Sequence, residues 1–190
     1  MFQKIRNKSI KINFFLKIFF IKNNINKIDF SLLKEFDQKY FLIPNQTHST
    51  NVVFSNKPGQ INNCDGVFTA NPKVACLIKV ADCMPIFFAH QDILFYGVVH
   101  AGWKGLIKGI LKNTSILVSE HNLKFNEIDI FIGPSIQKCC FEVSNDIIDK
   151  FPSWAIKPKS SGKFMVNLQK IAFEELGQIG FNKNRIKISS

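Results

Sequence analysis

The sequence lacks any long apolar run. Its longest candidate, Phe14–Ile21, falls far short of the ~20 residues that a membrane-spanning helix needs, and Lys17 interrupts it. The stretch also lacks the small-residue cleavage site of a secretory signal. With 46% apolar and 21% charged residues, the 190-residue chain has the composition of a globular protein and not of a disordered one. We therefore expect a soluble, cytoplasmic protein with a sizeable core.

The Cys-x-x-Cys spacing typical of metal-binding and redox motifs is also absent. The chain has five cysteines, an odd number, and no Cys-x-x-Cys pair, so a zinc finger is excluded. The chain is too long to look like a small disulfide scaffold, which favours free thiols in a reducing compartment. The five are Cys64, Cys76, Cys83, Cys139 and Cys140.

Acidic residues are scarce, 14 against 25 basic ones, which gives a formal net charge of +11. A basic surface favours nucleic-acid binding, but no aromatic RNA-binding motif accompanies it, and lysine is abundant throughout the chain. Residues 1–30 alone hold seven basic residues and one acidic residue. We therefore predict neither a nucleic-acid nor a membrane partner. We divide the chain into a divergent basic N-terminal segment, 1–39, and a catalytic domain, 40–190.

Strand and turn signals fill the middle of the chain. From residue 40, short apolar runs alternate with turns rich in Pro, Gly and Asn, which is typical of β-structure. The apolar period becomes helical from Trp103 to about Glu120 and predicts one long helix there. In the N-terminal segment, Lys11–Ile21 is compatible with a strand and Ser31–Phe36 with a short helix. The class is α+β.

Two loops concentrate unusual chemistry. One is Ala81–Pro85, between two apolar strands, and the other is His100–Gly105, between a strand and the predicted helix. Gly102 and Gly105 permit close approach of the backbone. Lys104 adds a positive charge at the start of the helix, where free N–H groups attract anions. Gly102 and Lys104 are therefore candidates for substrate or phosphate binding.

A third polar loop, Pro44–Ser49, also follows a predicted strand. If the fold brings the three loops together, His48, Cys83 and His100 supply two imidazoles and a thiolate, a ligand set of catalytic zinc sites with an open fourth position. Their separations of 35 and 17 residues do not establish this, because only the fold can join them. From the residues alone, His48 could equally be a turn residue and Cys83 a core residue.

Ordered motifs carry a resemblance to a known family. They are Gln46-Thr47-His48-Ser49, Asp65-Gly66-Val67-Phe68-Thr69, Ala81-Asp82-Cys83-Met84-Pro85, His100-Ala101-Gly102-Trp103-Lys104-Gly105, and Ile132-Gly133-Pro134-Ser135-Ile136 with Cys139-Cys140-Phe141-Glu142-Val143. In this order they resemble the YfiH family, also called the laccase-domain or polyphenol-oxidase-like family. The resemblance covers about residues 40–188.

The resemblance implies a fold, a cofactor and an activity. The implied fold is a layered α/β/β/α sandwich with mixed sheets, similar to a bacterial toxin deamidase domain. The implied cofactor is zinc held by His48, Cys83 and His100. The implied reactions are phosphorolysis of adenosine, inosine and S-methyl-5′-thioadenosine, and hydrolytic deamination of adenosine. Asp82 then becomes a candidate to orient a ligand or to act as an acid/base group. An older interpretation of the family, copper-dependent oxidation of phenols, also fits a two-His, one-Cys site.

The chain departs from the family pattern at both ends. We find neither the usual N-terminal Arg with its Gly-Gly-Val-Ser stretch nor the closing segment near Ser-Tyr-Arg-Arg, and Lys104 stands where Arg is more usual. We therefore expect a domain shortened at both ends, and a shortened inactive homologue is one alternative. Another is a metal-free cysteine hydrolase with Cys83 as nucleophile and His100 as base. A third is a non-enzymatic binding protein that uses its basic N-terminal segment.

Overall fold

The structure is a computed structural model that describes residues 40–159 and 162–189, together with the backbone of 9–12 and 16–19. Its strands are β1 (Ser9–Ile12), β2 (Leu16–Phe19), β3 (Phe41–Pro44), β4 (Val52–Phe54), β5 (Gly59–Ile61), β6 (Gly66–Thr69), β7 (Ala75–Cys76), β8 (Met84–His90), β9 (Tyr96–Ala101), β10 (Ile128–Ile132), β11 (Glu142–Val143), β12 (Ile156–Pro158), β13 (Phe164–Val166) and β14 (Ile186–Ile188). Its α-helices are α1 (Trp103–Ile107), α2 (Ile110–Glu120), α3 (Asn145–Ile148) and α4 (Leu168–Ile179).

A six-stranded sheet forms the centre, in the order β14-β10-β8-β9-β6-β4. The β14–β10 and β6–β4 pairs are parallel, and the three pairs between them are antiparallel. Strands β8 and β9 are apolar almost throughout because both of their faces are covered. The other sheets are two of three strands, β5-β3-β7 and β11-β13-β12, and one of two strands, β1-β2.

Two cores lie on opposite faces of the central sheet, because successive side chains of a strand point to opposite sides. On one face, Ile86 and Val99 join a core to which all four helices contribute. On the other face, Val67 and Val98 pack with Leu42 of β3 in a smaller core. Among the described residues, helices, the six-stranded sheet and the β5-β3-β7 sheet thus form successive layers. The predicted α+β class with mixed sheets is confirmed.

The single helix predicted from Trp103 to Glu120 is wrong in one detail. The helix breaks at Gly109, which adopts φ +93°, a left-handed conformation that interrupts α-helical hydrogen bonding. Apolar residues on both sides keep helical spacing because α1 and α2 face the same core. No helix in the described part of the chain is both long and apolar enough to cross a membrane.

Of the two elements predicted in the N-terminal segment, the structure describes part of only the first. Backbone pairing of Ser9 with Phe19 makes β1 and β2 an antiparallel pair, so the predicted strand over Lys11–Ile21 contains parts of two strands. The predicted helix over Ser31–Phe36 lies outside the described residues.

Candidate metal centre

The strand register places Cys83, His100 and Asp65 side by side across the central sheet. In the β8–β9 pair, Pro85 lies opposite His100, so Cys83 comes level with the turn that follows β9. In the β6–β9 pair, Gly66 lies opposite Val99, and the His100 N–H donates to the Asp65 carbonyl oxygen at 2.7 Å. The central strand β9 therefore carries His100 between Cys83 on one side and Asp65 on the other.

His48 reaches the same place from the loop between β3 and β4. Its Nε2 lies 4.0 Å from the Cys83 Sγ, and its ring meets that of His100 edge to face with centroids 4.9 Å apart. Possible ligand atoms of His48, Cys83 and His100 all lie within 4.8 Å of one another. Within the described ranges, these three form the one group of three or more His, Cys, Asp or Glu side chains that could hold a metal ion.

The site is open on one side. His48 is exposed, Cys83 is half-buried and His100 is buried. A molecule from solvent therefore meets His48 first and His100 last.

Asp65 organises the group, and sequence reasoning gave it no role. This fully buried carboxylate accepts a hydrogen bond from His100 Nδ1 through Oδ1 at 2.8 Å. The backbone N–H groups of Thr47, His48 and Ser49 donate to the same carboxylate at 3.1, 3.1 and 2.7 Å, and the Ser49 hydroxyl also donates to it at 2.7 Å. One side chain thus positions both imidazoles. The sequence feature that could have pointed to Asp65 was its position at the start of the motif Asp65–Thr69.

The Asp65 contact also explains an unusual backbone conformation. His48 adopts φ +57°, a left-handed conformation that is uncommon for residues other than glycine. Three successive N–H groups converge on one carboxylate, which offsets the conformational cost at His48. The loop is therefore shaped by Asp65, and the His48 ring is aimed at Cys83 as a result.

Burial dominates the electrostatics of the site. Burial raises the pKa of the Cys83 thiol, and the nearby carboxylates of Asp82 and Asp65 raise it further. Burial also lowers the pKa of His100, although its bond to Asp65 opposes the change, so neutral imidazole is favoured. For Asp65, burial would raise the pKa, but the hydrogen bonds from His100, Ser49 and Thr47 outweigh it and lower the pKa. The carboxylate is therefore ionised.

Gly102 lines the site directly. A Cβ atom at this position would lie 3.0 Å from Cys83 Sγ and 3.0 Å from His48 Cδ2. Gly102 has an ordinary φ of −70°, so the requirement for glycine is one of space and not of backbone conformation. Gly105 meets a similar requirement further along α1, where a Cβ would lie 3.0 Å from the Ser49 carbonyl oxygen. Helix α1 can approach the His48 loop because these two positions have no side chain.

The two remaining predicted site residues lie at the exposed rim. Asp82 is exposed beside Cys83, and its carbonyl oxygen accepts the Ile136 N–H at 2.9 Å. Lys104 is exposed at the start of α1, with its Nζ 5.6 Å from the centre of the Trp103 ring. The described contact to a candidate ligand histidine is made by Asp65, which bonds His100. The predicted orienting or acid/base role of Asp82 and the phosphate contact of Lys104 stay predictions.

The other two histidines are occupied elsewhere. Nε2 of the buried His90 lies 3.2 Å from Glu127, while its Nδ1 accepts the N–H groups of Asp92 and Ile93. The ring of His121 bonds to the Leu117 carbonyl oxygen through Nδ1 at 2.8 Å. Of the four histidines in the chain, the two that remain are those of the candidate metal centre.

Comparison with known proteins identifies relatives. A family model described as multi-copper polyphenol oxidoreductase laccase matches residues 21–190. A Haemophilus influenzae protein named purine nucleoside phosphorylase is 33% identical over 73% of this chain and 59% of its own length. Pseudomonas aeruginosa purine nucleoside phosphorylase PA4543 is 31% identical over 71% of this chain and 57% of its own length. The chain thus spans less than two thirds of these relatives.

Solved structures share the fold. The YfiH protein of Bacillus licheniformis superposes with a TM-score of 0.77 at 24% identity, covering 85% of this chain and 67% of its own. YlmD of Geobacillus stearothermophilus gives a TM-score of 0.78 at 22% identity, covering 84% and 66%. Neisseria meningitidis protein NMB0706 gives 0.70 at 29% identity, covering 79% and 63%.

Proposed function

Since this chain belongs to the YfiH family, whose model is described as multi-copper polyphenol oxidoreductase laccase, we propose that it is a zinc-dependent purine nucleoside phosphorylase. Its substrates are adenosine, inosine and S-methyl-5′-thioadenosine with phosphate, and it also deaminates adenosine. One observation carries the proposal: two imidazoles and a thiol converge at an open site in a chain whose relatives are named purine nucleoside phosphorylase.

The donor set fits a single metal ion. The bond to Asp65 occupies Nδ1 of His100 and leaves its Nε2 free, while Nε2 of His48 faces the Cys83 sulfur. Zinc bonds nitrogen at ~2.0–2.1 Å and sulfur at ~2.3 Å. Candidate ligand atoms of the three residues lie within 4.8 Å of one another, which is compatible with their sharing one ion. A carboxylate behind a ligand histidine is the usual support for such a site. Zinc held there by His48, Cys83 and His100 would supply Lewis-acid chemistry toward substrate or water.

The protein groups at the rim supply what the two reactions need. In phosphorolysis, a phosphate oxygen bonds C1′ while the bond from C1′ to the purine breaks, so the leaving purine needs a proton and the phosphate needs a positive partner. Asp82, exposed beside Cys83, is our candidate for the proton. Lys104 is our candidate for the phosphate, with Gly102 providing close backbone approach. In deamination, water adds at C6 and ammonia leaves, which needs the same acid/base group.

Copper-dependent phenol oxidation is the second candidate, favoured by the description of the family model. Two nitrogens and one sulfur also suit copper. A multi-copper oxidase needs further clusters of ligands, however. His90 and His121 have other partners, which leaves the chain without histidines for a second cluster.

A metal-free cysteine hydrolase is the third candidate. The imidazole nearest the Cys83 sulfur is that of His48, while the His100 ring is bonded to Asp65. A hydrolase of this type needs a base that takes the thiol proton. Alkylation of Cys83 by a substrate-like electrophile in protein free of metal would favour this candidate.

Product analysis by mass spectrometry tests the proposal. Zinc-loaded protein is incubated with adenosine, with and without phosphate, beside a His100→Ala variant and a matched His121→Gln variant outside the site. Adenine and ribose 1-phosphate that require phosphate, formed by the wild type and by His121→Gln but not by His100→Ala, support the phosphorylase. Inosine formed without phosphate supports the deaminase.

Two results would overturn the proposal. Folded, zinc-loaded protein that yields no product would make the chain an inactive homologue. Oxygen-dependent oxidation of a phenol by the copper-loaded protein, without nucleoside turnover, would favour the oxidase instead.

A further inference from the structure

Two thiols outside the metal centre lie unusually close together. Cys139 and Cys140 are consecutive, both are exposed, and their Sγ atoms are 2.7 Å apart. They occupy a turn in which the N–H groups of Cys140 and Phe141 both donate to the Gln137 carbonyl oxygen, at 2.9 and 3.1 Å. The turn therefore holds two solvent-accessible sulfur atoms within reacting distance.

We propose that Cys139 and Cys140 form a reversible thiol–disulfide site whose co-reactant is a low-molecular-weight disulfide. The thiolate of one of the two cysteines attacks one sulfur of the co-reactant, forms a mixed disulfide and releases one thiol. The thiol of the other cysteine then loses its proton and attacks the sulfur of the first, which closes the Cys139–Cys140 bond and releases the second thiol. The two cysteines lose two electrons and two protons, and the co-reactant is reduced to two thiols.

The bond formed is easily reversed. Consecutive Cα atoms are ~3.8 Å apart across a trans peptide. Most protein disulfides join Cα atoms ~4.4–6.8 Å apart, so a bond between neighbours is strained. Strained, exposed disulfides have higher reduction potentials than structural ones and are readily reduced by free thiols. The pair is therefore suited to cycling and not to permanent cross-linking.

The other cysteines differ in their surroundings. The Cys64 side chain is fully buried, and its sulfur lies 2.9 Å from the Gly66 carbonyl oxygen. Burial raises the pKa of Cys76 to about 12, which suppresses its thiolate. Cys83 belongs to the candidate metal centre. The Cys139–Cys140 pair is thus the accessible dithiol of the described part of the chain.

The dithiol turn is joined to the metal centre through the main chain. The Ile136 N–H donates to the Asp82 carbonyl oxygen at 2.9 Å, and the Gly133 N–H donates to the Pro85 carbonyl oxygen at 2.8 Å. These bonds link the segment that leads into the dithiol turn to the loop that carries Cys83. The inference itself stands on the two sulfur atoms and does not depend on the proposed function.

Peptide mapping tests the site cleanly. Cleavage after Lys138 and Lys150 releases residues 139–150, which contain both cysteines and no other thiol. The folded protein is treated with oxidised glutathione and its free thiols are then blocked. We expect this peptide unblocked and about 2 Da lighter, since closing one disulfide removes two hydrogens. Mild reduction with a monothiol restores two blockable thiols. The peptide of residues 74–79, which contains the half-buried Cys76 with its raised pKa, serves as the control and stays reduced.

The single variants distinguish the mechanism. In Cys139→Ser and Cys140→Ser, the second step cannot occur, so we expect a stable glutathione adduct on the remaining cysteine. An adduct on both cysteines of the wild type, two unreacted thiols, or a bond between two chains would each overturn the proposal.

Discussion

Asp65 and His100 are joined by two hydrogen bonds. Oδ1 accepts His100 Nδ1–H at 2.8 Å, and the Asp65 carbonyl oxygen accepts the His100 main-chain N–H at 2.7 Å. The main-chain bond continues the pairing of β6 with β9, and the side-chain bond lies within the candidate metal centre. The same carboxylate also holds the loop that carries His48. Both imidazoles therefore depend on one buried residue.

Asp65→Asn tests this dependence. An amide has one acceptor oxygen, so it cannot accept from His100 and from three backbone N–H groups together. We expect zinc affinity to fall ~10–100-fold, the usual effect of losing a carboxylate behind a ligand histidine. Unsatisfied buried groups should also cost about 1–3 kcal/mol of folding stability. Competition with a chromophoric chelator measures the affinity.

Asp82→Asn is the matched control, because Asp82 is adjacent to Cys83 in sequence but exposed. It should leave zinc affinity within a few-fold of wild type. Equal affinities in the two variants would contradict the role given to Asp65.

Gly102→Ala should damage the metal centre without unfolding the protein. The added methyl would lie 3.0 Å from atoms of both Cys83 and His48, while the backbone conformation suits alanine. We expect weaker zinc binding with a small change in thermal midpoint, measured on the same preparation by chelator competition and calorimetry.

Gly109→Ala should show the opposite pattern. At φ +93°, alanine is strained, and we expect a loss of about 1 kcal/mol of stability with zinc affinity unchanged. If both glycine variants lost zinc affinity to the same degree, the steric account of Gly102 would be wrong.

Zinc should stabilise the folded protein by mass action. At a free concentration about one hundred times its Kd, a ligand specific for the folded state adds about 2.7 kcal/mol. His48→Ala should remove most of this shift, yet leave the metal-free midpoint nearly unchanged because His48 is exposed. Thermal melts with zinc and with a chelator give both values. A zinc-dependent shift that survives in His48→Ala would remove His48 from the ligand set.

Glu175 predicts a pH effect far from the metal centre. Burial raises its pKa from 4.5 to about 7, so the folded protein favours the protonated carboxyl. The charged form therefore lowers stability progressively as pH rises from about 4.5 to 7, and fully above that range. Glu175→Gln should gain stability relative to wild type at pH 8, by at most ~3 kcal/mol and less where solvent screens the charge. At pH 4 the two should be equal.

The neighbouring carboxylate supplies the control. Glu174 pairs with Lys183, so Glu174→Gln should lose stability or leave it unchanged at pH 8. Denaturant unfolding across pH 4–8 gives the differences. A Glu175→Gln variant that gains nothing at pH 8 would contradict the burial of its charge.

Sequence pattern predicted the elements around the site better than the contacts within it. Strands such as β6 and β8 were predictable because apolar residues between turn signals have few other structures available. The break at Gly109 was not visible, because helical spacing continues across it. A glycine in a helical pattern does not reveal the sign of its own φ.

Some of the site could be predicted from the sequence. His48, Cys83 and His100 were singled out by residue type and loop position, and the structure brings them together. Asp65 was not singled out, because an Asp before Gly at a strand start is typical of a turn. Asp65 accepts hydrogen bonds from three backbone N–H groups that lie 16–18 residues earlier in the chain. Only the folded sheet brings these groups within hydrogen-bonding distance of its carboxylate.

The register of β9 has a consequence for how such a site can change over time. A slip of β9 by one residue would turn His100 toward the opposite core, so the register that buries the two cores also sets the position of His100 between Cys83 and Asp65. His48 is different, since it sits on an outer loop. Natural drift or laboratory redesign that alters this loop can exchange one ligand, and with it the preferred ion or substrate, while the sheet preserves the other two.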